Sequence, residues 1–352
     1  MGPEFNKWPV AWQKERYPVS IFARFEMWKL LSFMKKWILS VLVFALIMLF
    51  AIPYIFIPSK LTIASVGSTP CSLPGVFRSL TKKDDWAKWW PGPEGKNMPF
   101  CTDFIECKFN FKGYTYSVTS KYYNALSIEI SKGNQDYDSR IDLISLHGDS
   151  TNIRWSYSVR TSPNPIERIK NYREAARQKQ NLDTLLLHLK NFTSLTKNVY
   201  GQDIHLIMPS DTTLIVIKLK TPAFPGTEEI YSAIRSLREY ASANNAKEIN
   251  YPMLMPFKNT PGAFETFVAL SIDKALPGKG EIAYRRYVPW KDLMVEVKGG
   301  DSSVSQAHAS LNNYILDNQI QVVSKTFQSL VTDRSIEKDS SKWTTRLICS
   351  IP

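Results

Sequence analysis

Ala233-Ile234-Arg235-Ser236-Leu237-Arg238-Glu239-Tyr240, running on to Asn244, is echoed by Ala307-His308-Ala309-Ser310-Leu311-Asn312-Asn313-Tyr314, running on to Asn318. Alanine, serine, leucine, tyrosine and asparagine recur at one constant offset, and both copies space their apolar residues as a helix does. Self-similarity of this kind bears on architecture before any local propensity is consulted. A β-branched run precedes each copy: Leu214-Ile215-Val216-Ile217 before the first, Leu293-Met294-Val295-Glu296-Val297 before the second. Two more short strand-like runs follow each. Residues 199–352 therefore read as a duplicated strand–helix–strand–strand domain with pseudo-twofold symmetry. A cleft at the junction of two such halves is a usual place for a small-molecule site.

The remaining length fits a second domain and an appendage, since 352 residues exceed one ordinary domain. Hydrophobic residues make up 44% and charged residues 22%, which is globular rather than disordered material. The net charge of +12 is spread along the chain. No Lys/Arg block resembles a nucleic-acid arm, and no segment reads as a helix-turn-helix, so no nucleic-acid partner is expected. Cys71, Cys101, Cys107 and Cys349 form no C-x-x-C pair, and His147, His188, His205 and His308 are scattered. Structural zinc needs clustered ligands, so no metal is assigned. At most one disulfide within a domain is expected, and only in an oxidising compartment. Nucleophile elbow, Walker loop and dinucleotide fingerprint are all missing; no cofactor and no catalytic residue are assigned.

Trp37 to Ile57 carries no charged residue over 21 positions, enough for a helix to span a hydrocarbon core of about 30 Å. The run is longer than the apolar region of a signal peptide and ends in Ile57-Pro58-Ser59-Lys60 without a small-residue cleavage site. Residues 37–57 are thus expected to be an uncleaved membrane anchor, with the lipid bilayer as partner. Seven Lys/Arg precede it and few follow, which puts residues 1–36 in the cytoplasm and the bulk of the chain outside the cell membrane. Met27 and Met34 each offer an alternative start, and the leader is assigned no fold.

Between the anchor and the duplicated half, a strand at 61–66 and a short helix at 72–80 lead into Trp86-Ala87-Lys88-Trp89-Trp90-Pro91-Gly92. Alternating strands follow around Phe109, Tyr116, Ile128, Ile141 and Trp155, then a helix from about Ile166 to Asn198 with Leu182, Leu185, Leu186 and Leu189 on one stripe. Arg168, Arg173, Arg177 and Lys179 lie off that stripe and are expected on a solvated face, with attraction to anionic headgroups as the alternative. The order strand, short helix, meander, long helix, together with Asp85-Trp86-x-x-Trp89-Trp90, resembles the helix-grip fold of the polyketide-cyclase and START-related (SRPBCC) superfamily over residues 60–198. That resemblance implies a cavity for apolar ligands between sheet and helix. Trp86, Trp89 and Trp90 either pack the core, as large aromatics usually do, or wall a ligand.

The second copy of the repeat resembles the gyrase-inhibitory-protein-like domain, which is also the effector-binding domain of AraC-type regulators. The matching stretches are Val297-Lys298-Gly299-Gly300-Asp301, Phe327-Gln328-Ser329-Leu330-Val331-Thr332-Asp333 and Asp339-Ser340-Ser341-Lys342-Trp343-Thr344-Thr345-Arg346-Leu347-Ile348. In that family the terminal strand reads Trp-x-Thr-Glu, and its acid faces the cleft together with a tyrosine of the preceding strand. Arg346 and Leu330 occupy those positions here. An inward Arg346 would take an anionic ligand through charge-assisted hydrogen bonds; an outward one is a surface charge. Trp343, Glu265, Phe267, Tyr284, Trp290 and Glu296 are the other cleft candidates, while Arg285 and Arg286 are expected to face solvent.

An α+β chain follows, with one transmembrane helix, a helix-grip antiparallel sheet domain and a duplicated domain. The expected function is extracytoplasmic binding of a small amphipathic or anionic molecule without catalysis. The alternatives are an envelope scaffold whose clefts are filled by side chains, and a hydrolase or cyclase related to either family. Ligand identity and oligomeric state are left open.

Overall fold

The computed structural model describes residues 21–92, 105, 107–146, 148–208, 213–260, 263–288 and 290–352. The start of the leader, Cys101 and His147 lie outside the described residues. The chain is α+β and forms two compact units: residues up to Leu61 together with Arg160–Glu174, and Thr62–Val159 together with Ala175–Pro352.

In the first unit a single helix, α1 (Ile21–Phe56), runs well upstream of the uncharged stretch. Trp28–Phe56 is long and apolar enough to cross a membrane, and its side chains are almost wholly exposed. Residues 21–36, whose sequence shows no clean periodicity, continue the helix, because adding residues to an existing helix costs far less than nucleating one. Pro58 terminates it by disfavouring helical geometry at Ile57. The last carbonyls of a helix have no partner within it, and a cation fills that role here. The Arg168 guanidinium donates from Nε and Nη2 to the Ile57 carbonyl at 2.8 and 2.5 Å and lies 4.9 Å from the Tyr54 ring centroid. Arg168 is therefore buried, at 7% exposure, rather than on a solvated face as expected from the sequence. The Tyr54 hydroxyl donates to the Pro163 carbonyl, and the Thr161 amide to the Ser59 carbonyl at 2.9 Å.

The first sheet comprises β1 (Lys60–Thr69), β2 (Lys108–Phe111), β3 (Tyr114–Lys121), β4 (Ala125–Lys132), β5 (Gln135–Leu146) and β6 (Ser150–Arg160), in the order β1-β6-β5-β4-β3-β2. Between β1 and β2 lie α2 (Leu73–Thr81) and α3 (Lys83–Trp89); after β6 come α4 (Pro165–Thr193) and α5 (Thr196–Tyr200). The leucine stripe Leu182, Leu185, Leu186 and Leu189 of α4 is buried, and Leu186 lies against Gly67 of β1. Gln178 donates to the Tyr116 hydroxyl at 2.9 Å, and Thr69 and Thr193 share a hydrogen bond of the same length. Long helix and sheet thus meet through an apolar stripe whose few buried polar groups are paired, as burial requires.

The second sheet holds β7 (Ile204–Ile207), β8 (Thr213–Thr221), β9 (Met253–Thr260), β10 (Ala263–Ser271), β11 (Ile282–Arg286), β12 (Lys291–Lys298), β13 (Phe327–Leu330) and β14 (Thr344–Ile351). Its order is β11-β8-β10-β9-β13-β14-β12-β7. Helix α6 (Thr227–Ala243) follows β8, and α7 (Asp301–Asp317) follows β12. The blocks β8-β10-β9 and β12-β14-β13 meet back to back at β9 and β13. β11 adds to the first block and β7 to the second, so each edge strand joins the block other than the one it precedes in the chain.

The recurring residues do equivalent work in both helices. Ala233 and Leu237, like Ala307 and Leu311, are buried against the sheet. Asn244 and Asn318 each turn Nδ2 back to the carbonyl of the recurring tyrosine at 2.8 Å. The next residue is left-handed in both cases, Asn245 at φ 53° and Gln319 at φ 53°. The chain then returns an amide to the helix, Ala246 to Ala241 at 2.9 Å and Ile320 to Ile315 at 3.0 Å. Tyr314 also packs edge-on against Tyr200 at 5.3 Å, and Asp317 pairs with Arg78 of α2 at 2.8 Å. These contacts fasten the two sheets' layers within one unit. Cys71 and Cys349 are free and buried, whereas Cys107 is disulfide-bonded.

Candidate functional site

Strand alternation gives the second sheet two faces. Ile215 and Ile217 of β8, Leu254 of β9, Val268 and Leu270 of β10 and Leu330 of β13 pack with α6 in one core cluster. The intervening residues point the other way. Register brings Phe267 beside Met255, Ala269 beside Met253 and Val216, and Glu265 beside Phe257. With Leu214 and Phe327, all of these but Glu265 line a cavity of about 320 Å³. Its walls are almost entirely apolar, and two methionines let it adapt to irregular shapes. Phe257 and Phe267 meet edge to face at 5.4 Å.

Cations surround this apolar floor. Arg285 and Arg286 of β11 and the Tyr287 ring complete the lining. Lys325 Nζ lies 4.3 Å from the Phe257 ring centroid, and Lys218 Nζ lies 5.6 Å from that of Phe267. Lys218 is paired with Glu265 at 2.7 Å. Arg285, Arg286 and Lys325 have no carboxylate within 4.0 Å among the described residues. The Tyr287 hydroxyl donates to the Asp292 carboxylate at 3.0 Å and shares a 2.6 Å hydrogen bond with Ser350. Asp292 is only 2% exposed, and burial pushes its carboxyl up from the usual range. Burial also pushes the Tyr287 phenol up to about 12.

A second cavity, of about 510 Å³, lies beside α6 and is lined in part by Tyr231, Tyr251, Leu330 and Asp333. Its one arginine, Arg238, is already held by Glu248 through two hydrogen bonds of 2.8 and 3.1 Å. Ligand charge is therefore met more directly at the smaller cavity.

Of the residues singled out in the sequence, Phe267 lines the 320 Å³ cavity, and Glu265 stands beside it through Lys218. Arg346 forms a 2.9 Å ion pair with Glu296 on the neighbouring strand and stacks 5.5 Å from the Tyr251 ring centroid. Leu330 is buried under α6. The Trp343 indole donates to the Glu337 carbonyl at 2.9 Å and carries the Arg334 guanidinium on its face at 4.6 Å. Tyr284 pairs in register with Ile215, and Trp290 is 40% exposed. Trp86 and Trp89 are buried, with ring centroids 4.7 Å apart, and Trp86 stacks on Trp90 at 5.3 Å and Phe109 at 4.5 Å. The tryptophans pack against sheet side chains, while the cavity draws on Met253, Met255, Phe257, Phe327 and Tyr287, none of them anticipated. The sequence did hold one signal: Met253 to Phe257 is apolar on both strand faces, which asks for cover on both sides. Among the described residues no cluster of three His, Cys, Asp or Glu side chains could hold a metal ion.

No family model matches the chain, and no curated protein matches it. Among solved structures it is similar to the EcmrR C-terminal domain, with 14% identity over 43% of this chain and 98% of that one at a TM-score of 0.36. It is also similar to SAV2435 bound to tetraphenylphosphonium, with 15% identity over 43% of this chain and 94% of that one at a TM-score of 0.30. The Aha1 dimer from Colwellia psychrerythraea shares 18% identity over 38% of this chain and 96% of that one, at a TM-score of 0.29. With TM-scores this low, these similarities carry no weight in assigning a function. The class that the chain itself defines is an α+β protein with one long apolar N-terminal helix and two antiparallel sheets.

Proposed function

We propose that the chain is a membrane-tethered protein that binds a small amphipathic anion in the 320 Å³ cavity of its second sheet. Residues 37–57 anchor it with the N-terminus inside, residues 60–198 form a helix-grip domain, and residues 199–352 form the binding domain, a duplicated unit with a local twofold. The reversed strand order of the two blocks and their matching helix ends support the duplication. The disulfide at Cys107 supports an oxidising, extracytoplasmic compartment.

One observation carries the reading: an apolar cavity rimmed by Arg285, Arg286 and Lys325 without partnering carboxylates among the described residues. An apolar body is drawn to the floor by burial, and a negative headgroup to the rim by charge. A volume of 320 Å³ is at the low end for ligand pockets, which suits a small ligand or one end of a larger one. Acid–base catalysis at the same cavity has Tyr287 and Asp292 in its favour. A phenol held near pKa 12 and already engaged with Asp292 and Ser350 is a poor base at neutral pH, so binding is the better reading. Filled clefts, as a scaffold requires, do not fit an open cavity of this volume.

Calorimetry on the full chain in lipid nanodiscs tests it, with empty discs as the blank. 2-Naphthalenesulfonate should bind, and its isosteric trimethylammonium counterpart should not. Ala269→Trp, which projects an indole into the cavity, should abolish binding. Arg285→Glu with Arg286→Glu should weaken it about tenfold or more, since exposed charges contribute up to about 1 kcal/mol each. Equal binding of both probes, or undiminished binding by Ala269→Trp, rejects the proposal.

A further inference from the structure

We infer that the first turns of α4 form a second membrane contact, seated in an anionic headgroup layer beside the end of α1. This rests on the membrane-anchor reading of α1. Three ties hold the start of α4 to the carboxyl end of that helix: Arg168 to the Ile57 carbonyl, Tyr54 to the Pro163 carbonyl, and Thr161 to the Ser59 carbonyl. All belong to one compact unit. If α1 spans a bilayer, its last turn ends at the headgroups. The backbone that leaves it at Pro58 and the backbone that enters α4 at Pro165 are then held at that depth. The interfacial layer adds only about 5–8 Å on each side of the hydrocarbon core, so a segment tied directly to the helix end is held within reach of it, and its side chains decide whether it seats there.

The side chains on this part of α4 suit that depth. Ile166, Ile169 and Tyr172 are exposed at 61%, 37% and 50%, although two are β-branched aliphatics that folding normally covers. Lys170 and Arg173 fall on the same side: at about 100° per residue all five lie within an arc of roughly 160°. Glu167 and Glu174 fall outside that arc, about 60° and 40° beyond Lys170, and Arg168 is turned inward to α1. Lys60 and Arg160, exposed on the adjoining strand ends, extend the basic patch. Apolar groups flanked by cations, with the acids outside their arc, are the features of a helix lying in an interface. The charge selects anionic over zwitterionic lipid, and Tyr172 has the amphipathic ring enriched at headgroup level. No separate docking event is needed, because α1 already delivers the segment to the surface.

Depth-dependent quenching on the full chain tests the inference. Ile169→Cys carries an environment-sensitive fluorophore; the native free thiols Cys71 and Cys349 are buried. Nanodiscs contain either phosphatidylcholine alone or a phosphatidylglycerol mixture, with a nitroxide at the headgroup. Position 169 should be quenched in the anionic discs, and less so in phosphatidylcholine. A label at Glu167→Cys should be unaffected in both. Lys170→Glu or Arg173→Glu should each shift the seated population about fivefold away from the surface, the factor expected per basic residue near an anionic leaflet. A label at Leu46→Cys, read with a mid-bilayer nitroxide, separates the two claims. Quenching at 46 without quenching at 169 overturns this inference alone. No quenching at 46 overturns the anchor, and this inference with it. Equal quenching at 167 and 169 also overturns it, since the contact would then have no face.

Discussion

Gln319→Gly should stabilise the protein, and Asn245→Gly should do so far less. Both residues follow the helix cap directly, and both adopt φ 53°. For an ordinary residue the left-handed region costs about 1–2 kcal/mol, because Cβ approaches the following carbonyl oxygen. Asparagine escapes part of that cost through local hydrogen bonding; glutamine, one methylene longer, does not. Glycine removes the clash but gives back roughly 0.5–1 kcal/mol through the extra freedom of the unfolded chain. The balance for Gln319→Gly is a gain of about 0.5–1 kcal/mol, and for Asn245→Gly it is close to zero. Urea unfolding of the purified chain in a non-ionic detergent, followed by tryptophan fluorescence, measures both, with Gln319→Ala as a control expected near zero. The midpoint should rise for Gln319→Gly with an unchanged slope. The two sites sit on different helices, so the double variant should be additive within a few tenths of a kcal/mol. A loss of stability for Gln319→Gly, or a larger gain at residue 245 than at 319, refutes the account of why the two ends share one geometry but not one residue.

Leu237→Ala and Leu311→Ala truncate side chains of zero exposure at matching positions of α6 and α7. Each should cost about 2–5 kcal/mol, and a loss under 1 kcal/mol at either, in the same urea assay, contradicts equivalent burial. Gly299→Ala should cost more than 1 kcal/mol: φ is +121° and the new Cβ would meet Ser303 Oγ at 2.5 Å. Replacing Ser303 by glycine in the same chain should recover only part of that loss, since the backbone strain persists. Asp292→Asn should change the pH dependence of melting. The folded carboxyl titrates above its ordinary 3.8 because of burial, so its contribution to stability is full below that value and is lost as pH rises through the folded value. The asparagine variant lacks that loss, so wild type should compare best with it near pH 3.5 and fall relative to it towards pH 7. A melting difference independent of pH would show that Asp292 is not the buried acid described.

The elements legible in the sequence are those whose signal is local. The uncharged run ending at Ile57, the alternating strands from Phe109 to Tyr157 and the two echoing helices each stand out within a dozen or two dozen residues. Their caps are legible too, since the recurring tyrosine and asparagine make the same side-chain-to-carbonyl bond. Pairings between distant strands are not local, and there the sequence misleads. β7 and β11 are short edge strands whose partners are β12 and β8; nothing within β7 or β11 indicates the exchange. Arg168 sits on a helix that reads as solvated, yet its partner is a carbonyl more than a hundred residues earlier. The cavity has the same character, because Val216, Met255, Phe267 and Phe327 come from four strands and meet only through register.

Charge balance explains why the most conspicuous arginine of the sequence is not the one best placed for a ligand. An arginine attracts an anion strongly only if no carboxylate already neutralises it. Glu296 stands opposite Arg346 in the β12–β14 register and takes its Nε at 2.9 Å; Glu248 does the same for Arg238, and Glu265 for Lys218. Partly exposed pairs of this kind contribute up to about 1 kcal/mol each. A ligand reaching for any of these three must first compete with a partner of that strength. Arg285, Arg286 and Lys325 impose no such competition among the described residues, and they stand around the apolar cavity. Breaking the Arg346 pair therefore offers a sharp contrast. Glu296→Gln would release Arg346 while leaving the cavity untouched, so naphthalenesulfonate affinity should stay within about twofold if Arg285 and Arg286 govern binding. A tenfold gain on freeing Arg346 would instead place the anion on the β12–β14 side of the sheet and leave the 320 Å³ cavity without its assigned role.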